Sequence, residues 1–88
     1  MISQKQSLQV GKLILRVPKD QAYFIYFNLE ASEGLCSFST LEESLRQSYR
    51  DLLLIYCLER EKELETFIES LKQTVRIDII EKTTILDS

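Results

Sequence analysis

The chain has 88 residues, of which 44% are hydrophobic and 28% are charged, and its formal net charge is −3 at pH 7. This length fits one domain, and this balance of apolar and charged residues is typical of a globular protein rather than a disordered one. The acidic net charge excludes the broad basic surface with which proteins bind nucleic acid or an anionic membrane.

The first predicted strand begins near residue 12. Residues 1–9 are mostly polar, so we expect them to form a loose arm or a short added strand. The stretch KLILRVP predicts a strand over residues 12–17 that Pro18 ends. Its side chains alternate, so one face carries leucine and valine, and the other carries Ile14 between two basic residues.

The stretch DQAYFIYFNLEASEG predicts the first helix. Its aromatic run also has high strand propensity, but its ends favour a helix, because Asp20 is a suitable N-cap and Gly34 a suitable left-handed C′ residue. On a helical wheel this segment has two apolar arcs instead of one. One arc can cover a sheet, whereas the other, with Tyr23, Phe24 and Phe27, needs a different cover.

The second half predicts two strands, a helix and a strand. LCSFSTL, which begins at Leu35, is a strand candidate, and DLLLIYCL at residues 51–58 is apolar on both alternating faces, as in a central strand. EREKELETFIESLKQTV has apolar residues at helical spacing and predicts the second helix. VRIDII, residues 75–80, predicts the last strand, and residues 83–88 are expected to form a C-terminal tail.

This order predicts the ferredoxin-like βαββαβ fold, an α+β two-layer sandwich with an antiparallel sheet and two helices on one face. Strands one and three lie at the centre of that fold, and they are the two most apolar candidates here. We expect a single domain over residues 1–88 with its core at about 12–81. An alternative stays open, because TLEE at residues 40–43 has the form of a capping box that could begin a long helix over 40–74. A short helical turn within 41–50 fits the preferred fold.

Two long stretches carry a resemblance to a known class of domains. Through RVPKDQAYFIYFNLEASEGLCSFST and DLLLIYCLEREKELETFIESLKQTVRIDII, the chain resembles ACT-like regulatory domains, the small ligand-sensing domains of methionine transporter ATPases, and short bacterial proteins of that shape. The resemblance lies in patterning, and it implies a regulatory domain that pairs through sheet edges or helices and binds a small molecule between the two copies. ACT domains that bind amino acids usually carry a glycine after the first strand, whereas residues 18–20 contain none and Asp20 would repel a carboxylate.

The residues of common catalytic and cofactor sites are missing from the sequence. Without histidine, neither a Ser-His-Asp nor a Cys-His device can form within one chain. No phosphate-binding loop, dinucleotide fingerprint or calcium loop occurs. We therefore predict no catalytic residue, no metal site and no cofactor, and we interpret the glutamates at 59–65 as a solvated helix start. RNA binding would need exposed aromatics on the central strands and basic flanks, so no nucleic acid partner is expected.

The two cysteines and the lack of long apolar runs indicate a compartment. Cys36 and Cys57 are expected to be buried thiols in a reduced compartment, although a turn centred near residues 46–47 would place them opposite each other and allow a disulfide. No apolar run reaches the roughly 18 residues of a membrane span, and residues 1–10 lack the apolar centre of a signal peptide. We expect a cytoplasmic protein with no membrane partner.

Two functions remain for such a chain. The first is a non-catalytic homodimeric regulatory or interaction domain, with a small molecule as a candidate ligand at its interface. Its predicted interface residues are Tyr23, Phe24 and Phe27 on the helix and Ile14 and Ile55 on the uncovered sheet face, since such apolar surface is large for a small monomer. The alternative cover is the arm and the tail. The second function is a small dimeric ferredoxin-like enzyme that uses tyrosine, arginine and carboxylate groups in a pocket.

Overall fold

The computed structural model describes residues 8–87, and they form four strands and two α-helices. The first helix lies between the first and second strands, and the second helix lies between the third and fourth strands. The elements are β1 (Leu8–Pro18), α1 (Ala22–Ala31), β2 (Ser37–Thr40), β3 (Tyr49–Cys57), α2 (Glu61–Leu71) and β4 (Asp78–Asp87).

The strands form one antiparallel sheet in the order β2-β3-β1-β4, which places the first and third strands at the centre as predicted. β1 and β3 pair over their whole common length, with Ile14 opposite Leu53 and Lys12 opposite Ile55. Both helices pack on the same side of this sheet. The chain therefore has the ferredoxin-like α+β fold that its element order predicts.

The core lies between the sheet and the helices. Alternate side chains of β1 and β3 point into it, and each helix contributes one apolar stripe. Burying each such side chain contributes about 1.5–3 kcal/mol to folding. Its central members are Leu13, Leu15, Val17, Ile25, Leu29, Leu52, Leu54, Leu64 and Ile68, all almost fully buried.

The ends of α1 differ from the prediction. Asp20 is not its N-cap, because a 3₁₀ turn over Lys19–Gln21 precedes the helix and Gln21 occupies the cap position. Gly34 does adopt the predicted positive φ, at 81°, but it lies in a turn beyond the helix end, where the Leu35 N–H donates to the Ser32 carbonyl. This turn needs a residue with positive φ, and glycine adopts that conformation without the steric cost of a Cβ.

The alternative of one long helix over residues 40–74 is wrong, because the strand β3 occupies the middle of that segment. The smaller alternative is confirmed, since Glu42–Ser44 forms a 3₁₀ turn. The capping box does not form, because the Thr40 hydroxyl shares a 2.7 Å hydrogen bond with the Tyr26 hydroxyl. Ser44 is 1% exposed, and its hydroxyl donates to the Leu41 carbonyl and accepts from the Asp51 N–H.

The last strand is longer than predicted and begins later. β4 begins at Asp78 and continues to Asp87, so the expected tail is wrong over residues 83–87. β1 likewise reaches back to Leu8, into the predicted arm, while residues 1–7 lie outside the described part of the chain. The two extensions pair with each other, from Leu8 opposite Asp87 inward. Local composition could not show this, because a polar stretch becomes a strand when a long neighbour offers it hydrogen bonds.

Candidate functional site

The sheet face turned away from the helices carries an apolar patch between charged residues. We call this surface the open sheet face, and its central side chains are Ile14 of β1 with Leu53 and Ile55 of β3. These three are half-buried. Strand alternation places them there, because their sequence neighbours point into the core. Ile14 and Leu53 are directly opposite in the register, so the apolar side chains are contiguous.

Arg16 and Asp51 form a bidentate ion pair at one end of this patch. The Arg16 Nε and Nη2 groups donate to the two Asp51 carboxylate oxygens at 2.9 and 3.0 Å. The Arg16 guanidinium also lies 3.8 Å from the centre of the Tyr49 ring, a cation–π arrangement. The hydrogen bond to Asp51 raises the pKa of Arg16 further above its ordinary value. The pair is therefore held in a fixed orientation on the open sheet face.

A second ion pair flanks the patch on the β4 side. Lys12 Nζ lies 3.1 Å from the Glu81 carboxylate. This contact lowers the pKa of Glu81, mainly through the hydrogen bond from Lys12. The open sheet face thus combines an apolar centre with two ion pairs, and Asp78, which is opposite Arg16 in β4, adds a further carboxylate.

The outer surface of α1 carries exposed aromatic side chains. Tyr23 and Phe27 are 71% and 70% exposed, and we call the surface they form the α1 outer face. They lie at i and i+4, hence on one side of the helix. Phe24 was predicted with them, but it is half-buried and packs against the core.

The five predicted interface residues therefore lie in different places. Ile14 and Ile55 share the open sheet face, whereas Tyr23 and Phe27 share the α1 outer face on the other side of the domain. One flat interface cannot contain both pairs. The Arg16–Asp51 pair was missed as a site, although strand alternation already put both residues on solvent-facing positions. Their meeting depends on the β1–β3 register.

A narrow cleft between α2 and β4 contains the polar groups that most resemble an active site. Its volume is about 50 Å³, enough for one or two water-sized molecules. The Tyr56 hydroxyl donates to the Glu61 carboxylate at 3.0 Å, and Lys82 Nζ lies 3.0 Å from the Glu65 carboxylate. Burial, together with the bond to Glu61, raises the pKa of Tyr56 to about 12. At neutral pH this phenol is protonated and cannot act as a base.

The cysteines do not form the predicted pair of buried thiols. Cys36 is half-buried, and burial raises its pKa to about 11, whereas Cys57 is exposed. Both are free, because the actual register pairs Ser37 with Ile55, which sets the two cysteines on opposite faces of the sheet. Within residues 8–87, no group of three or more cysteine, aspartate or glutamate side chains is arranged to hold a metal ion.

The fold and these surfaces define the class of the protein: a small ferredoxin-like α+β domain. The solution structure of SecDF periplasmic domain P4 is similar over 97% of this chain and 99% of its own, with a TM-score of 0.55 and 16% sequence identity. At that identity the likeness shows the fold alone. No family model matches the chain, and no curated protein matches it. In the described part of the chain, neither helix is long and apolar enough to cross a membrane.

Proposed function

We propose that this chain is a non-catalytic interaction domain that forms a homodimer. The observation that supports the proposal most directly is the open sheet face, where neither helix packs and Ile14, Leu53 and Ile55 are only half-buried. Exposed contiguous apolar surface on a small domain typically marks an interaction site. A second copy is the simplest partner, because most soluble oligomers consist of identical chains.

The enzyme alternative has less support. The cleft beside Tyr56 would have to be its active site, yet it holds only about 50 Å³. Its tyrosine has a raised pKa, and Lys82 is neutralised by Glu61 and Glu65 at 3.7 and 3.0 Å. These groups satisfy one another and leave no activated nucleophile or base.

The resemblance to ACT-like domains adds a regulatory ligand to the proposal. The hollows beside these surfaces, about 240 Å³ at Arg16 and Tyr49 and about 200 Å³ at Tyr23 and Phe24, are smaller than the roughly 300–1,000 Å³ of small-molecule sites. A ligand site would therefore have to form between two copies. Dimerisation is the step to test before any ligand is sought.

The compartment is also a proposal. Two free cysteines, one of them exposed, fit the reducing cytoplasm, because oxidising compartments favour disulfides. The similar solved structure is a periplasmic domain of its own protein, and an extracytoplasmic location is the alternative for this chain. Fractionation of the native cells, with immunodetection of the chain in each fraction, distinguishes the two.

Light scattering on a sizing column, across a concentration series, tests the homodimer. The chain mass is 10.3 kDa. We expect the measured mass to approach that of two chains as the concentration rises. A mass of one chain at every concentration up to the millimolar range would contradict the proposal and would direct attention to a different partner protein.

A further inference from the structure

We infer that two copies pair through their open sheet faces, with a two-fold axis that runs parallel to the strands between β1 and β3. This inference rests on the proposed homodimer and adds its geometry. With the axis in that position, β1 of each copy lies over β3 of the other. A two-fold interface of this kind uses one surface twice, so the surface must complement itself.

The strand register makes the surface complementary to itself at two pairs of positions. Arg16 is opposite Asp51 within the sheet, and Ile14 is opposite Leu53. The proposed axis exchanges the β1 and β3 positions, so Arg16 faces Asp51 of the partner subunit and Ile14 faces Leu53 of the partner subunit. Two of the five guanidinium N–H groups of Arg16 bond Asp51 within the copy, so donors remain for the carboxylate across the interface.

Charge favours this surface over the α1 outer face. The open sheet face carries Lys12 and Arg16 together with Asp51, Asp78 and Glu81. A second copy turned about the axis brings Arg16 against an aspartate. By contrast, α1 has Glu30 beside its aromatic residues and no basic residue. Two α1 outer faces would bring like charges together, which opposes association.

The area of the open sheet face is large enough for a weak dimer. β1 and β3 pair from Val10 opposite Cys57 to Pro18 opposite Tyr49, and β2 is only four residues long. At about 3.3 Å per residue and about 4.8 Å per strand, the face covers on the order of 500 Å² per copy. The total of roughly 1,000 Å² lies at the lower limit of specific interfaces. The apolar centre supplies the affinity, and the charged pairs set the orientation.

A charge-reversal mixture tests the geometry. Arg16→Glu leaves two carboxylates at one end of the face, and Asp51→Arg leaves two guanidiniums there. Each variant alone should dimerise at least about tenfold more weakly than the wild type, because like charges meet across the axis. In an equimolar mixture the two variants should form a heterodimer about as tightly as the wild type dimerises, because each carboxylate then faces a guanidinium. Light scattering measures the mass of each sample, and circular dichroism confirms that each variant is folded.

Phe27→Glu is the matched control, since it places a charge on the α1 outer face, and we expect it to dimerise like the wild type. A dimeric wild type whose mixture stays monomeric, or whose Phe27→Glu variant is monomeric, would overturn the inferred interface and leave the homodimer standing. If the wild type itself is monomeric, the proposed function fails together with the interface.

Discussion

At the scale of single residues, Gly11 and Tyr56 are closely packed in the sheet. These residues are opposite each other in β1 and β3, and the Tyr56 ring lies directly against the Gly11 backbone. A Cβ at position 11 would overlap the end of that ring, so the tyrosine could not keep its place over the glycine. The Tyr56 hydroxyl would then lose its bond to Glu61.

We expect Gly11→Ala to lower the free energy of unfolding by about 1–3 kcal/mol, since overpacking a core costs this much. For a domain of this size each 1 kcal/mol lowers Tm by roughly 4–8 °C. Thermal denaturation followed by circular dichroism measures the change. In a Tyr56→Leu background the ring end is absent, so there the same substitution should cost less. Equal costs in both backgrounds would show that the overlap is not the cause.

At the scale of elements, β4 is the part of the sheet that local patterning describes least well. It pairs with β1 from Asp78 to Asp87. The register shifts at Ile80, because Leu15 is opposite Ile79 whereas Ile14 is opposite Glu81. The shift is a β-bulge, which lets Ile79 face the helices while Glu81 faces the other side. Such an irregularity bends an edge strand and protects it from pairing with other chains.

Hydrogen exchange tests the length of β4. Backbone N–H groups of residues 81–85 that bond to β1 should exchange more slowly than unstructured amides, because they open only with the sheet. Measurement by NMR after transfer to D₂O resolves each amide, and β3 at the centre of the sheet is the internal reference. Random-coil exchange rates throughout 83–87 would show that these residues form a tail after all.

At the scale of the whole molecule, ionisable groups limit the pH range of stability. Bonds from Lys12 and Arg60 lower the pKa of Glu81 and Glu63 below the ordinary 4.5. Their contribution is present above that value and is lost as the pH falls through the lowered pKa. Burial raises the pKa of Cys36 from 9.0 to about 11 and of Tyr56 from 10.0 to about 12. Their contribution is present below the ordinary values and is lost as the pH rises through the raised ones.

We therefore expect the free energy of unfolding to be nearly constant from about pH 5 to pH 8 and to fall on both sides of that plateau. Urea denaturation at a series of pH values measures it. On the alkaline side, Cys36→Ala should reduce the decline, whereas the exposed Cys57→Ala should not. If the wild type showed equal stability at pH 7 and pH 10.5, the assigned burial of the thiol and the phenol would be wrong.

Much of the fold could be predicted because its determinants are local. The two-residue alternation of β1 and the helical spacing of α2 can be recognised in short windows, and together they define the element order. The N-cap at Asp20 and the capping box at Thr40 were also local predictions, yet both are wrong. Asp20 lies within a 3₁₀ turn and not at the start of α1, and the Thr40 hydroxyl bonds the Tyr26 hydroxyl instead of capping a helix. Local sequence patterns therefore predicted the presence of helices and strands better than the residues at which they begin and end.

Alternation and spacing are properties of adjacent residues, so the sequence was enough to predict the βαββαβ order, the apolar faces of the central strands and the surplus of apolar surface. The structure was needed to show that β4 extends to Asp87, that Arg16 contacts Asp51, and that the predicted interface residues do not share one surface. These features depend on the register between strands that are distant in the chain. A register shift of one residue would turn every side chain of a strand to the opposite face of the sheet. The register is therefore set by the packing of the complete core and not by any single segment.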